Sequence, residues 1–276
     1  MYADLHLHTN YSDGTYTPEE LVDRGHAQGL GVMALTDHDT VDGCSRMAGV
    51  CKERGIEFIA GCEFTVELDG FELHLLGYFL DLECSRLIQQ LEKYQSVRNG
   101  RVHEMVDKLN GIGFEIESEE VLKIANCNSP GRPHIARALV AKGYCQSLDE
   151  SFQRYLKKGR PAWVPKEKMT AAEAIELIHE AGGLAVIAHP GLYHRDEVIS
   201  PLVDAGLDGI ECFYTRHSTS TTEHYLILAE QYNLLVTGGS DCHGNNKGRP
   251  LIGGVKLPYQ YVERMKSAVL AQNGTV

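Results

Sequence analysis

Residues 4–14 read DLHLHTNYSDG, two histidines and two aspartates gathered around a Ser-Asp-Gly turn. Side chains alternate along a strand, so His6 and His8 share one face while Leu5 and Leu7 occupy the other. Two imidazoles side by side form a chelating pair. They also read as interior histidines satisfied by hydrogen bonds, and the choice depends on the partners that later segments supply.

Outward from this stretch, short apolar strands alternate with amphipathic helices. A strand is expected over 3–8, followed by TPEEL, with Thr17 as N-cap, Pro18 at the first helical position and Glu20 three residues after the cap. That helix runs to about Gly29, GVMALTD reads as a buried strand, and 43–54 reads as a second helix. Two strands over 56–66 and 71–79 meet at Asp69-Gly70, a hairpin signal. Helices at 170–181, near 196–205 and near 222–232 then separate the strands LAVIAH, GIECFY and LLVTGGSD. The alternation predicts an α/β fold of (β/α) barrel type, with catalytic groups where strands end. From about 83 to 160 the patterns are helical only, and this reads as an insertion. The expected organisation is a barrel over 1–90 and 161–276 and a helical cap over 91–160.

At 276 residues, 43% hydrophobic and 23% charged, the chain fits one large domain or one domain with an insertion. No apolar run approaches the roughly 18 residues of a membrane span, and the first residues lead straight into a strand. No signal peptide or membrane partner is therefore expected, and the default compartment is the cytoplasm. Eight cysteines without a CxxC pair read as free thiols used as small apolar residues, although Cys62 and Cys242 sit beside candidate site residues. A net charge of −12 argues against a long nucleic acid as partner. It leaves room for an enzyme that attracts phosphate through bound cations.

The opening pattern recurs. LTDHDT places Asp37, His38 and Asp39 at a strand end, AGCEF delivers Glu63, and ELHLLGY carries His74. VIAHPG delivers His189, and GGSDCHG delivers Asp241 and His243. Polar groups interrupting apolar runs cost several kcal/mol each when unpaired. So many of them point to a multinuclear metal site, and mixed imidazole and carboxylate donors suit Mn, Zn or Fe.

In this order, DLHLHTNYSDG, LTDHDTVDG, GCEFT, ELHLLGYF, AHPG and GSDCHG resemble the PHP (polymerase and histidinol phosphatase) superfamily. Within the insertion, GRPHIARALV and GRPAWVP resemble its stand-alone bacterial phosphoesterase branch. That branch includes phosphatases of AMP or 3′,5′-bisphosphonucleotides and 5′-end RNA-trimming enzymes. The resemblance implies a distorted (β/α)7 TIM-like barrel with two to three divalent ions, Mn ahead of Zn or Fe. By motif, His6, His8, Glu63 and Asp241 would hold the first ion. Glu63 would bridge to a second completed by His74 and His189, and Asp13, His38 and His243 would hold the third. Many members carry histidine where Asp13 stands, whereas the nucleotide phosphatase branch is similar to this chain in using aspartate.

A metal-activated hydroxide would attack phosphorus while the ions neutralise the phosphoryl oxygens. Asp37 and Asp39 are expected to orient imidazoles. His217 and His194 follow late strands and are candidate leaving-group acids, with exposed loop histidines as the alternative. Arg132 and His134 in SPGRPHIAR, with Arg160 in KKGRPAW, are candidate phosphate clamps, since arginine offers a bidentate fork. Lys157, Lys158 and Lys247 read as solvated. Trp163 and Tyr155 suit either base stacking or core packing.

The favoured function is hydrolysis of a phosphomonoester of a small phosphorylated metabolite, a nucleotide first. A phosphodiesterase acting on cyclic phosphates or trimming short RNA from its 5′ end is the nearest rival. A non-catalytic or proofreading module serving a polymerase is the rival of another class, opposed by the complete ligand set.

Overall fold

The computed structural model describes residues 1–247 and 250–274; the Lys247 side chain, Gly248 and Arg249 of the NNKGRP stretch lie outside the described residues. The chain enters through β1 (Tyr2–Asp4) and α1 (Pro18–Ala27), then β2 (Leu30–Leu35) and α2 (Cys44–Glu53). The expected cap forms: the Thr17 hydroxyl accepts from Glu20 N–H, and the Glu20 carboxylate accepts from Thr17 N–H. Next come β3 (Glu57–Leu68) and β4 (Phe71–Tyr78), whose antiparallel register runs from Gly61↔Tyr78 to Leu68↔Phe71. Their turn is the predicted Asp69-Gly70, both at positive φ, 50° and 76°.

The second half returns to alternation. It runs through β5 (Met169–Thr170), α7 (Ala171–Glu180), β6 (Leu184–Ile187), α8 (Ile199–Asp204), β7 (Gly209–Tyr214), α9 (Thr219–Gln231) and β8 (Leu235–Gly239). It ends with β9 (Leu257–Pro258) and α10 (Tyr259–Asn273), which the sequence reading did not include. The strands form one mixed sheet, with β1 beside β2, β2 beside β3 and β6–β7–β8 in parallel runs, joined through the antiparallel β4.

The sheet closes nearly into a barrel at β1. Regular β1 ends at Asp4 rather than at residue 8, but the chain stays extended and bonds to β8 and the turn after it: Leu5 N–H to Gly238 carbonyl, Asp241 N–H to His6 carbonyl, and His8 N–H to Cys242 carbonyl. Gly239 permits this closure, because a Cβ there would lie 2.4 Å from the His6 backbone nitrogen. Seven strands thus form the distorted (β/α)7 barrel, with β9 added antiparallel outside β1.

Between β4 and β5 lie α3 (Ser85–Asn110), α4 (Ser118–Ala125), α5 (Arg132–Ala141), α6 (Leu148–Ser151) and a π-turn over Phe152–Leu156. These elements have their own core, built from Val102, Leu109, Val121, Leu139 and Leu156 among others. The boundary expected at residue 91 falls inside α3. Leu87, Leu91 and Tyr94 pack in the barrel core, whereas Val102 to Leu109 pack in the cap core. One 26-residue helix therefore ties the two cores together. All eight cysteines are free thiols, and no described helix is long and apolar enough to cross a membrane.

Candidate metal centre

The polar residues that interrupt the strands converge at one end of the barrel, around the carboxylate of Glu63. Its Oε2 lies 3.2 Å from His6 Nε2, 3.1 Å from His8 Nε2 and 3.3 Å from His38 Nδ1. Its Oε1 lies 2.6 Å from His74 Nδ1 and 3.1 Å from His189 Nε2. Burial would raise the Glu63 carboxyl, but the imidazoles of His38, His74 and His6 outweigh it and hold it well below the usual range.

The neighbouring carboxylates complete two further groups. Asp241 Oδ1 lies 3.4 Å from His8 Nε2 and 3.7 Å from His6 Nε2. Asp13 Oδ1 lies 3.2 Å from His243 Nε2, and the His8 and His243 rings stack at 4.0 Å. Donor atoms of His6, His8 and Asp241 all fall within 4.8 Å of one another, as do those of His8, Asp13, His38 and His243. The same holds for His6, Glu63 and His189, and for His38, Glu63 and His74. His189 and Asp241 sit just past their strands with φ of 32° and 54°, left-handed values that aim their side chains inward.

These residues fit divalent cations by their own chemistry. Both ring nitrogens of the fully buried His8 have no hydrogen-bond partner among the described residues, nor do His38 Nδ1 and Asp13 Oδ1. Buried lone pairs left without a donor are costly, and a set of imidazoles and carboxylates within 4.8 Å suits a divalent ion.

Glu211 is the main residue that the sequence reading missed. It sits in the apolar strand β7, fully buried, and its Oε1 meets His6 Nδ1 at 3.0 Å while Oε2 accepts from His189 N–H at 2.7 Å. This hydrogen bond directs His6 Nε2 toward Glu63 and Asp241. Tyr214, three residues on, donates to Asp241 Oδ2 at 2.9 Å. An acid inside an apolar strand was the available signal for Glu211.

The expected imidazole-orienting roles of Asp37 and Asp39 are not what the structure shows. Asp37 accepts from Thr9 N–H at 2.8 Å and from the Thr9 and Ser12 hydroxyls, so it braces the turn that carries Asp13. Asp39, at φ 49°, turns to the cap: it accepts from Thr65 N–H at 3.0 Å, from Arg98 Nε at 3.0 Å, and from Lys166. Burial would raise its carboxyl, but Lys166 and Arg98 hold it far below the ordinary range. Burial, and next Arg98, lowers the Lys166 ammonium to about 8 against the pull of Asp39.

A cavity borders His38, His74 and Asp13 and is walled by Arg98, Arg101, Arg132, Lys166 and Phe152. Of the three expected phosphate clamps, only Arg132 lines it. His134 is fully buried, its Nδ1 accepts from Gly131 N–H at 3.0 Å, and burial lowers it to about 4, so it caps α5 without carrying charge. Arg160 is exposed on a turn and does not line the cavity.

The two candidate acids also stand apart. Both ring nitrogens of His217 serve the main chain: Nδ1 lies 2.9 Å from Cys212 carbonyl, and Nε2 accepts from Gly191 N–H at 3.2 Å. His194 is exposed at φ 52° and borders a different hollow with Asp196 and His224. Tyr155 and Trp163 do not line the cavity; Tyr155 packs against the cap core, and Phe152 takes the aromatic place at the wall.

Comparison with known proteins gives a consistent context. A family model described as PHP domain matches residues 4–236. A 5′-3′ exoribonuclease of Haemophilus influenzae is 34% identical over 245 residues, covering 87% of this chain and 89% of that protein. A 3′,5′-nucleoside bisphosphate phosphatase of Chromobacterium violaceum is 32% identical over 258 residues, covering 91% and 90% respectively. A solved structure from Bifidobacterium adolescentis, provisionally described as a metal-dependent phosphoesterase, superposes with a TM-score of 0.89 at 30% identity. The match covers 98% of this chain and 96% of that one.

Proposed function

The chain belongs to the PHP domain family, and from that premise we propose that it hydrolyses a phosphomonoester of a small phosphorylated metabolite, a nucleotide such as AMP or a 3′,5′-bisphosphonucleotide first. At the coarser level it is a metal-dependent phosphoric ester hydrolase. The observation that carries the finer reading is the cavity itself. It lies between His38, His74 and Asp13 of the cluster on one side and cap residues Arg98, Arg101, Arg132 and Phe152 on the other, so that cationic cap side chains face the cluster across a small cavity.

In this reading His6, His8, Glu63 and Asp241 hold one ion, Glu63 with His74 and His189 a second, and Asp13, His38 and His243 a third, with manganese the first candidate. Bound divalent ions supply an activated water for attack on phosphorus and neutralise phosphoryl charge. The chain's own residues do the rest. Arg132 and Arg101 offer guanidinium forks to phosphate oxygens, and Lys166, anchored on Asp39, adds a fixed positive charge in the same wall. Phe152 presents an apolar ring for the remainder of the substrate.

A second reading, removal of nucleotides from the 5′ end of short RNA, draws support from the Haemophilus relative. The cap side chains that wall the cavity beside His38 and His74 favour the smaller substrate. The test is chromatographic analysis of the products, with inorganic phosphate measured alongside, for manganese-loaded protein across nucleoside monophosphates, 3′,5′-bisphosphates, cyclic phosphates, histidinol phosphate and a short 5′-phosphorylated RNA. Preference for a mono- or bisphosphate is expected. Preference for the cyclic ester or RNA replaces the monoesterase reading with a diesterase, and silence across the panel overturns both.

A further inference from the structure

The two sides of the metal centre are supported by different parts of the molecule. His6, His189 and Asp241 are held by barrel residues, Glu211 and Tyr214. The loops that carry Asp13, His38 and His243 are instead gripped from outside by cap segment 127–137. Cys127 Sγ lies 3.3 Å from the carbonyl oxygen of Ser12, and Ser129 Oγ donates to the His38 carbonyl at 2.6 Å. Arg137, on α5, makes the largest set: its Nη2 donates to the carbonyls of Asp13 and Gly14, and its Nε donates to Asn246 Oδ1 at 3.1 Å. Asn246 in turn donates to the Asp13 carbonyl, and Thr15 N–H bonds to the carbonyl of His243 at 3.2 Å. One guanidinium therefore staples the Asp13 turn to the turn after His243, and both to the cap.

Among the described residues, the outer edge of the Asp13 turn is held by Arg137 together with Asn246, which Arg137 itself positions. Its inner edge is fixed by Asp37 and by close approach: a Cβ on Gly14 would meet the His8 carbonyl at 2.6 Å. On the outer edge, two consecutive carbonyls, those of Asp13 and Gly14, face Arg137. A charge-assisted donor to such carbonyls fixes the direction of the peptide planes and hence of the Asp13 side chain. The same helix carries Arg132 into the cavity wall, so α5 reaches substrate and ligand loops together.

We propose that Arg137 is a positioning residue that sets occupancy of the ion held by Asp13, His38 and His243, leaving the other two ions to the barrel. The proposal rests on the ligand assignment given under the proposed function. It makes the third ion responsive to the cap: anything that draws α5 toward the barrel, such as phosphate on Arg132, tightens that ion, and the coupling is reciprocal.

The test is metal content by mass spectrometry and manganese affinity by calorimetry for the whole chain, wild type against Arg137→Ala, Arg137→Lys and Asp13→Ala. Wild type is expected to bind three ions. Arg137→Ala should keep two with unchanged affinity and bind the third at least tenfold more weakly. Arg137→Lys should recover part of the loss, and the melting temperature of the metal-free variants should stay near that of wild type. Loss of an ion in Asp13→Ala with full retention in Arg137→Ala overturns the inference and leaves the ligand assignment standing. Full retention in Asp13→Ala overturns the assignment itself. A wild type that binds only two ions, or an Arg137→Ala variant that loses all ions together, also overturns the inference.

Discussion

Glu211 ties two residues of the centre together, accepting at 3.0 Å from His6 Nδ1 through one oxygen and at 2.7 Å from the main-chain N–H of His189 through the other. A carboxylate in this place keeps the His6 proton on Nδ1 and leaves Nε2 as a lone-pair donor. In Glu211→Gln the amide can turn its NH2 toward Nδ1 and favour the opposite tautomer. Metal affinity should then fall about 10–100-fold, with the melting temperature of the metal-free protein little changed. Competition with a chromogenic chelator measures it, and an unaltered affinity would remove Glu211 from the ligand-orienting role.

The Lys166 ammonium predicts a pH dependence in binding. Its value is lowered to about 8, chiefly by burial and next by Arg98. The cation is therefore largely present at pH 7 and is lost as pH rises through 8. KM for a phosphomonoester should climb above that point, with kcat less affected. Arg stays protonated throughout this range, so Lys166→Arg should flatten the KM profile. A wild-type KM that stays flat from pH 7 to 9.5 would show that Lys166 does not touch substrate.

Much of this cluster was legible in the chain because its candidate donors interrupt runs that otherwise repeat with the period of a buried strand. His6, His8, Glu63 and His74 stand out against Leu5, Leu7, Phe64 and Leu75. The Asp69-Gly70 turn was legible for a similar local reason, as its two residues tolerate positive φ. Glu211 gave a signal that was easily passed over, because a single acid in GIECFY also fits an alternating strand with one polar face. Arg98, Arg101 and Lys166 were hidden more deeply. On a long helix and in an irregular segment, their sequence neighbourhood is that of solvated surface, and only the return of α3 over the barrel buries Arg98 and Lys166 beside Asp39 and brings Arg101 to the cavity wall. His134 and Arg160 failed in the opposite direction, since a Gly-Arg-Pro motif does not specify which side chain faces the cavity.

Asp39 offers a stability test that is separate from catalysis. It is fully buried and pairs with Arg98 and Lys166, linking the loop after β2, α3 and the segment before β5. Removing one partner of a buried ion pair costs roughly 3–5 kcal/mol because the remaining charge is left uncompensated. Asp39→Asn should lose stability on that scale in urea denaturation. Adding Lys166→Met to that background should restore part of it by removing one of the stranded cations. A double variant no more stable than Asp39→Asn would mean that the cost lies in the lost Thr65 and Arg98 contacts instead.

Metal removal should be felt by the fold as well as by the chemistry. Five imidazoles lie within 3.3 Å of the Glu63 carboxylate, and buried lone pairs of His8, His38 and Asp13 lack hydrogen-bond partners among the described residues. An ion that binds only the folded chain stabilises it by about 2.7 kcal/mol at a hundredfold excess over its Kd. In a chain of this size that corresponds to a rise in melting temperature on the order of 5–10 °C when manganese is returned to chelator-treated protein. Glu63→Gln weakens the shared carboxylate and should lose most of that rise together with hydrolysis. A melting temperature indifferent to manganese in the wild type would mean that these donors do not bind the ion in the folded state, and the metal centre would have to be reassigned.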